Sequence, residues 1–303
     1  MVTDLPRWDE IEFRTDPRNL LCALESDNAL FRADQLRRRL IALDNLDAAF
    51  GGLDFDPSAR CIDSRVDQRA KVLRMRLEAA NAELYESVRS DIVRGGQPGA
   101  LREWLGDPAS DDDSMRPRPG LGFDYSDELL SGVLRLSEPG GSQVRLPPEM
   151  VPYQPTPVRH ILHMIAAAAI TENDIFVDLG SGLGHVPLLV SMMTEALSLG
   201  VEVEEAYVVS ARTCAQSLHL SRVQFAAQDA RDADLSRGTV FYLYSPFKGS
   251  ILDDVLSALR KESMRRSIKI CSLGPCSHRV SNETWLKASS AVAMEHLTVF
   301  DSR

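Results

Sequence analysis

The chain has 303 residues, 44% hydrophobic and 26% charged, with a formal net charge of -10, a composition that supports one large or two modest domains with a buried core. No apolar run approaches the ~20 residues of a membrane span, and the amino terminus is polar and acidic rather than basic and then apolar, so a cytoplasmic protein is expected. The acidic total, without a dense Lys/Arg block, argues against a nucleic-acid partner.

Cys22, Cys61, Cys214, Cys271 and Cys276 are odd in number and scattered, with no Cys-x-x-Cys. They read as free thiols in a reducing compartment, and no metal site is expected.

Residues 1–105 read as a helical region. Asp34 suits the N-cap of a helix whose apolar face is Leu36, Leu40, Leu43 and Phe50, ended by Gly51 and Gly52. A longer helix is expected over 63–93, carrying the stripe Val66, Leu73, Leu77, Leu84 and Val88 and stopped at Gly95 and Gly96. That stripe suits packing within the chain first, with dimerisation through these helices as the alternative.

Residues 106–150 have the chemistry of an irregular connector or lid, with Asp111-Asp112-Asp113, Pro117-Arg118-Pro119 and Pro139-Gly140-Gly141. Within them, 123–136 carries Leu129, Leu130, Val133, Leu134 and Leu136, the pattern of a short helix.

From 151 to 303 the pattern becomes α/β. Thr156 suits an N-cap with Pro157 at the first helical position, and Val158, Ile161, Leu162, Ile165 and Ala169 form one face. The run 175–177 reads as a buried strand ending in Asp178. Further apolar runs follow at 196–203, 223–227, 240–244 and 268–273, with helical segments between the first four and another at 250–259. This alternation predicts a parallel sheet with helices on both faces.

The most informative segment is Asp178-Leu179-Gly180-Ser181-Gly182-Leu183-Gly184, between the first strand and an apolar helix. Three alternating glycines allow a tight turn and close approach of a ligand to the backbone. The dinucleotide fingerprint requires Gly or Ala where His185 stands and does not include Asp178, so the spacing points away from NAD. Glu202, at the end of the second strand, suits both hydroxyls of a ribose, and Asp229, at the end of the third, suits an adenine amino group.

In these residues the chain resembles the class I, seven-strand, Rossmann-like S-adenosylmethionine-dependent methyltransferases over about 150–303. The resemblance implies that Asp178, Gly180, Ser181, Gly182 and Gly184 bind the methionine moiety of S-adenosyl-L-methionine. It implies Glu202 as the ribose acid, Asp229 with Ala230 at the adenine, and a closing strand hairpin from 284–289 and 296–302. Tyr153-Gln154-Pro155-Thr156 before the first helix is similar to the entry loop of the non-SET lysine methyltransferases, which adds Tyr153 and Thr156 to the cofactor residues. At the fourth strand Tyr244-Ser245-Pro246-Phe247 departs from the Pro-Pro-aromatic pattern of amino-group methyltransferases.

The expected activity is methyl transfer, with Tyr244, Ser245 and Phe247 around an acceptor that is a protein lysine or a small molecule. Packing alone is the competing role for Tyr244 and Phe247. A non-catalytic cofactor-binding protein that engages a partner through its helical half, and a different nucleotide-using enzyme, are the rival readings. His185 reads as a solvated helix start, the alternative being an approach to the cofactor's carboxylate or the acceptor; His160 and His163 lack a third metal ligand, and Cys271 reads as a buried apolar thiol.

Overall fold

The computed structural model describes residues 16–50, 64–95, 99–105, 123–136 and 147–303. Gly51, Gly52, Gly96, Cys61 and most of the segment 106–150, including its acidic run and its Pro/Gly clusters, lie outside them. Two compact units divide the chain, Met1–Ser87 and Val88–Arg303.

In the first unit, α1 (Pro17–Ser26) and α2 (Leu36–Phe50) precede the long α3 (Ser64–Val93). Leu21, Leu24, Leu30, Ala42, Leu46 and Phe50 pack with Val66, Ala70, Leu73 and Leu77 of α3 into one apolar cluster. The buried face of α2 is Leu36, Arg39, Ala42, Leu46 and Phe50, with Leu40 and Leu43 only half-buried. Apolar periodicity misses this because Arg39 is fully buried, its Nε donating to Asn81 Oδ1 at 2.6 Å and its guanidinium to the Leu30 carbonyl at 2.9 Å. Asp34 does not cap α2. It lies in the preceding 3-10 turn and pairs with Arg32 at 3.1 Å.

The second unit adds α4 (Gly99–Leu105), α5 (Tyr125–Leu134) and α6 (Val158–Ala167) before a seven-stranded sheet. Its strands are β1 (Ile175–Leu179), β2 (Leu197–Glu202), β3 (Val223–Ala227), β4 (Val240–Tyr244), β5 (Lys269–Leu273), β6 (Leu286–Ala288) and β7 (Thr298–Ser302). The order is β3-β2-β1-β4-β5-β7-β6. The first five are parallel, and β7 is antiparallel to both β5 and β6.

Crossover helices are α7 (His185–Met193), α8 (Glu205–Ser217) and α9 (Gly249–Ser263), with α10 (Cys276–Ser281) after β5. Every residue of α7 after His185 is buried, as a helix apolar on all sides requires. Between β3 and β4 the expected helix is absent: the chain makes only a 3-10 turn, Ala230–Asp232. Strand order reverses between β1 and β4, which leaves a crevice at their carboxy ends.

Thr156 does not cap α6. The helix begins at Val158, with no side-chain cap from the preceding residue. Instead, the Val158 N–H donates to Asp127 Oδ1 at 2.8 Å, and Asp127 also belongs to the capping box of α5. One carboxylate thus ties two helix starts together, a long-range cap that local spacing does not reveal.

Candidate functional site

A cavity of about 660 Å³ opens at the carboxy ends of β1, β2 and β4, within the range of small-molecule sites. Tyr153, Thr156, Asp178, Gly180, Ser181 and Glu202 line it, as do Asp229 and Ala230 after β3 and Tyr244, Ser245 and Phe247 after β4. Gly182 and Gly184 do not line it.

The two glycines shape the loop from behind. Gly182 has φ +51°, and a Cβ there would stand 2.1 Å from the Tyr153 ring; at Gly184, φ +85°, it would stand 2.6 Å from Phe225. The amides of Gly180 and Ser181 both donate to the Val201 carbonyl, at 2.9 and 3.0 Å, which folds the turn back over β2.

Glu202 closes the same turn. Its carboxylate accepts the Gly182 N–H at 2.8 Å and the Glu204 N–H at 2.9 Å, leaving lone pairs for further donors. Burial pushes its pKa up against those hydrogen bonds. Asp178, 3% exposed, is pushed well above the ordinary carboxylate range, by burial first and then by the Glu202 charge. Ser181 Oγ is buried with no partner among the described residues.

Asp229 differs from these two acids. Arg231 donates to it from the backbone N–H and from two guanidinium nitrogens at 2.8 to 3.0 Å, and these contacts lower its pKa. It is a fixed negative charge at the cavity edge.

Thr156 Oγ1 meets the Tyr242 hydroxyl at 3.1 Å. His185 is not a solvated helix start: its Nδ1 lies 2.7 Å from the Tyr153 hydroxyl, and burial lowers its pKa to about 4. Tyr207, which sequence spacing does not single out, stands edge-on to Tyr153 with centroids 5.5 Å apart.

On the other side of the cavity, the Tyr244 hydroxyl is buried and has no partner among the described residues. Ser245, at φ +44°, donates to the Leu273 carbonyl at 3.1 Å and accepts the Cys276 N–H at 3.0 Å, so it staples the ends of β4 and β5 to the start of α10. Phe247 is 4% exposed and belongs to the main core cluster as well as to the cavity wall. Cys271 is fully buried, with its thiol pushed up to about 12 by burial. Among the described residues, no group of three or more His, Cys, Asp or Glu is arranged to hold a metal. Nor is any of their helices long and apolar enough to cross a membrane.

Residues 152–242 match the family model for the histone methylation protein DOT1. No curated protein matches the chain. Among solved structures, the chain is similar to an RNA methyltransferase from Salinibacter ruber in complex with S-adenosyl-L-homocysteine, at 25% identity and TM-score 0.41, over 49% of this chain and 92% of that one. It is similar to a putative methyltransferase, yhhF, from Escherichia coli at 14% identity and TM-score 0.39, over 53% and 91% of the two chains. It is also similar to an rRNA methylase from Streptococcus thermophilus at 12% identity and TM-score 0.35, over 48% and 95%.

Proposed function

We propose that residues 150–303, a class I S-adenosylmethionine-dependent methyltransferase domain, transfer a methyl group to the side-chain amine of a protein lysine. The observation that carries this reading is a single cavity. It has a glycine turn and acids on one wall, and on the other Tyr244, whose buried hydroxyl has no partner among the described residues. The match of 152–242 to the DOT1 model, which runs from the entry segment into β4, supports lysine as the acceptor.

The residues present fit the cofactor. Ser181 lines the cavity, Glu202 keeps acceptor capacity for ribose hydroxyls, and Asp229 presents a charge to an adenine amino group. In this reading Tyr153, Thr156, Asp178, Gly180 and Ala230 complete the binding wall, with Gly182 and Gly184 permitting its shape. When bound, S-adenosylmethionine supplies a methyl group on a sulfonium leaving group.

The protein's part is then alignment, exclusion of water and control of the amine's charge. A lysine must be neutral to attack, and burial in a low-dielectric cavity favours its neutral form. Tyr244 Oη accepts an N–H of the amine, which leaves the nitrogen lone pair free to attack the methyl carbon. Phe247 makes the apolar wall beside it, while Ser245 holds the β4 exit in place.

Calorimetry is the first test, with binding of S-adenosylmethionine and S-adenosylhomocysteine and none of NAD expected. Radiolabelled methyl transfer to lysate, fractionated into protein, nucleic acid and small molecules, then tests the acceptor by mass spectrometry of the labelled residue. Label confined to small molecules overturns the lysine reading, and absence of binding by both sulfur ligands overturns the cofactor reading.

A further inference from the structure

We propose that His185 is a positioning residue: through the Tyr153 hydroxyl it latches the segment 150–156 onto the glycine turn and so sets a cavity wall shared by the cofactor and acceptor sides. The inference rests on the function proposed above and gives a role to His185, which also lines the cavity.

The segment is a strap anchored at both ends. Upstream, Met150 bridges Phe247 in antiparallel fashion, the Val151 N–H donates to the Pro246 carbonyl at 3.0 Å and the Lys248 N–H to the Glu149 carbonyl at 2.8 Å. The Glu149 carboxylate also accepts the Ser250 N–H and hydroxyl at the start of α9, at 3.1 and 2.8 Å. Downstream, Thr156 is tied to Tyr242. One end thus belongs to the acceptor side and the other to the centre of the sheet.

Between these anchors Pro152 and Pro155 remove two backbone donors, so a continuous ladder is unavailable to hold the strap. Tyr153 supplies the hold. Its ring occupies the space that a side chain at Gly182 would fill, its edge meets Tyr207, and its hydroxyl reaches His185 Nδ1 at 2.7 Å. His185 begins α7 directly after the glycine turn, so the bond joins the strap to the element that carries the cofactor loop. A neutral imidazole accepts the Tyr153 proton at Nδ1 when its own proton is on Nε2. A glutamine carbonyl offers the same acceptor.

The test is a double-mutant cycle on the full chain with two readouts: amide hydrogen exchange of the ligand-free protein and calorimetry with S-adenosylhomocysteine. Y153F and H185L are each expected to speed exchange at Tyr153 (or its Phe replacement), Gln154 and Thr156, and to weaken the ligand, by about tenfold. β5 amides stay at their original rate, the double variant loses no more than either single one, and H185Q retains most of both properties. Wild-type exchange and affinity in Y153F overturn the latch, as do losses that add in the double variant. If the unaltered protein does not bind S-adenosylhomocysteine, the cofactor reading fails separately, and the exchange cycle still decides the latch.

Discussion

Asp178, at the end of β1, is buried beside Glu202 of the neighbouring strand β2, and the Glu202 charge reinforces burial in raising its pKa well above the ordinary carboxylate range. Two acids on adjacent strands, both shifted upward, destabilise the ligand-free fold for the sake of a binding surface.

Asp178→Asn is therefore expected to separate stability from binding. A carboxyl whose folded pKa is raised holds its proton in the fold after the unfolded chain has released it near pH ~3.9. Its native state binds more protons, so its contribution to stability falls as pH rises towards the folded value. Asn carries no such penalty. Urea unfolding at pH 8 should show the variant more stable by about 1–2 kcal/mol, while affinity for S-adenosylhomocysteine drops by about tenfold or more. A variant that is less stable at pH 8 would count against a strained acid pair.

His185 gives the opposite pH dependence. Its pKa falls from 6.5 to about 4 in the fold, so above about pH 6.5 neither the folded nor the unfolded histidine is charged. Between these two values the unfolded chain binds the extra proton, and stability is lost as pH falls through that window. Relative to H185Q, which has no such titration, the wild type should lose about 3 kcal/mol of unfolding free energy from pH 7 to pH 4. A constant difference across that range would show that His185 titrates as it does in the unfolded chain.

The sheet was legible because apolar runs capped by acids and glycines are local signals: β1 to β5 and the Gly180–Gly182–Gly184 turn follow from short windows of sequence, whereas the closing β6–β7 hairpin was expected only from the family resemblance. Contacts between distant residues were not. Thr156 has the chemistry of a cap, but its hydroxyl is drawn to Tyr242 while Asp127 takes over the α6 start. Arg39 interrupts an apolar stripe, yet it is fully buried in the face of α2 because the Leu30 carbonyl and Asn81 accept from it. His185 was misread for the same reason, since nothing adjacent to it announces Tyr153. The candidate site was visible as a set of residue types, whereas its division into cavity wall and supporting layer depended on tertiary packing.

That division makes Gly182 and Gly184 distinguishable although both have positive φ. Alanine at either position costs about 1–2 kcal/mol for the left-handed backbone alone. At Gly184 the new methyl would also meet Phe225 at 2.6 Å and the Ala211 side chain at 3.0 Å, both in the interior. At Gly182 it meets only the Tyr153 ring within the closest contacts, which can swing out with its strap. Thermal unfolding should therefore show the larger loss for Gly184→Ala, about 3 kcal/mol or more. Calorimetry should show Gly182→Ala folded but weakened towards S-adenosylhomocysteine by at least about tenfold. Equal stability losses with intact ligand affinity in Gly182→Ala would contradict this separation.

Tyr244 and Ser245 are neighbours at the end of β4, but their hydroxyls are in opposite situations. Ser245 Oγ is bonded to both the Leu273 carbonyl and the Cys276 amide, so Ser245→Ala removes two hydrogen bonds to the backbone and should lower stability by about 1–2 kcal/mol. Tyr244 Oη is buried without a partner among the described residues. Removing it relieves desolvation, and Tyr244→Phe should unfold at the same or higher denaturant concentration, by up to about 1 kcal/mol. If this hydroxyl orients the acceptor amine, the stabilised variant loses methyl transfer by about tenfold or more while S-adenosylhomocysteine binds as before. Retained turnover in Tyr244→Phe would move the orienting role to another group, and a loss of stability there would mean that the hydroxyl has a structural partner.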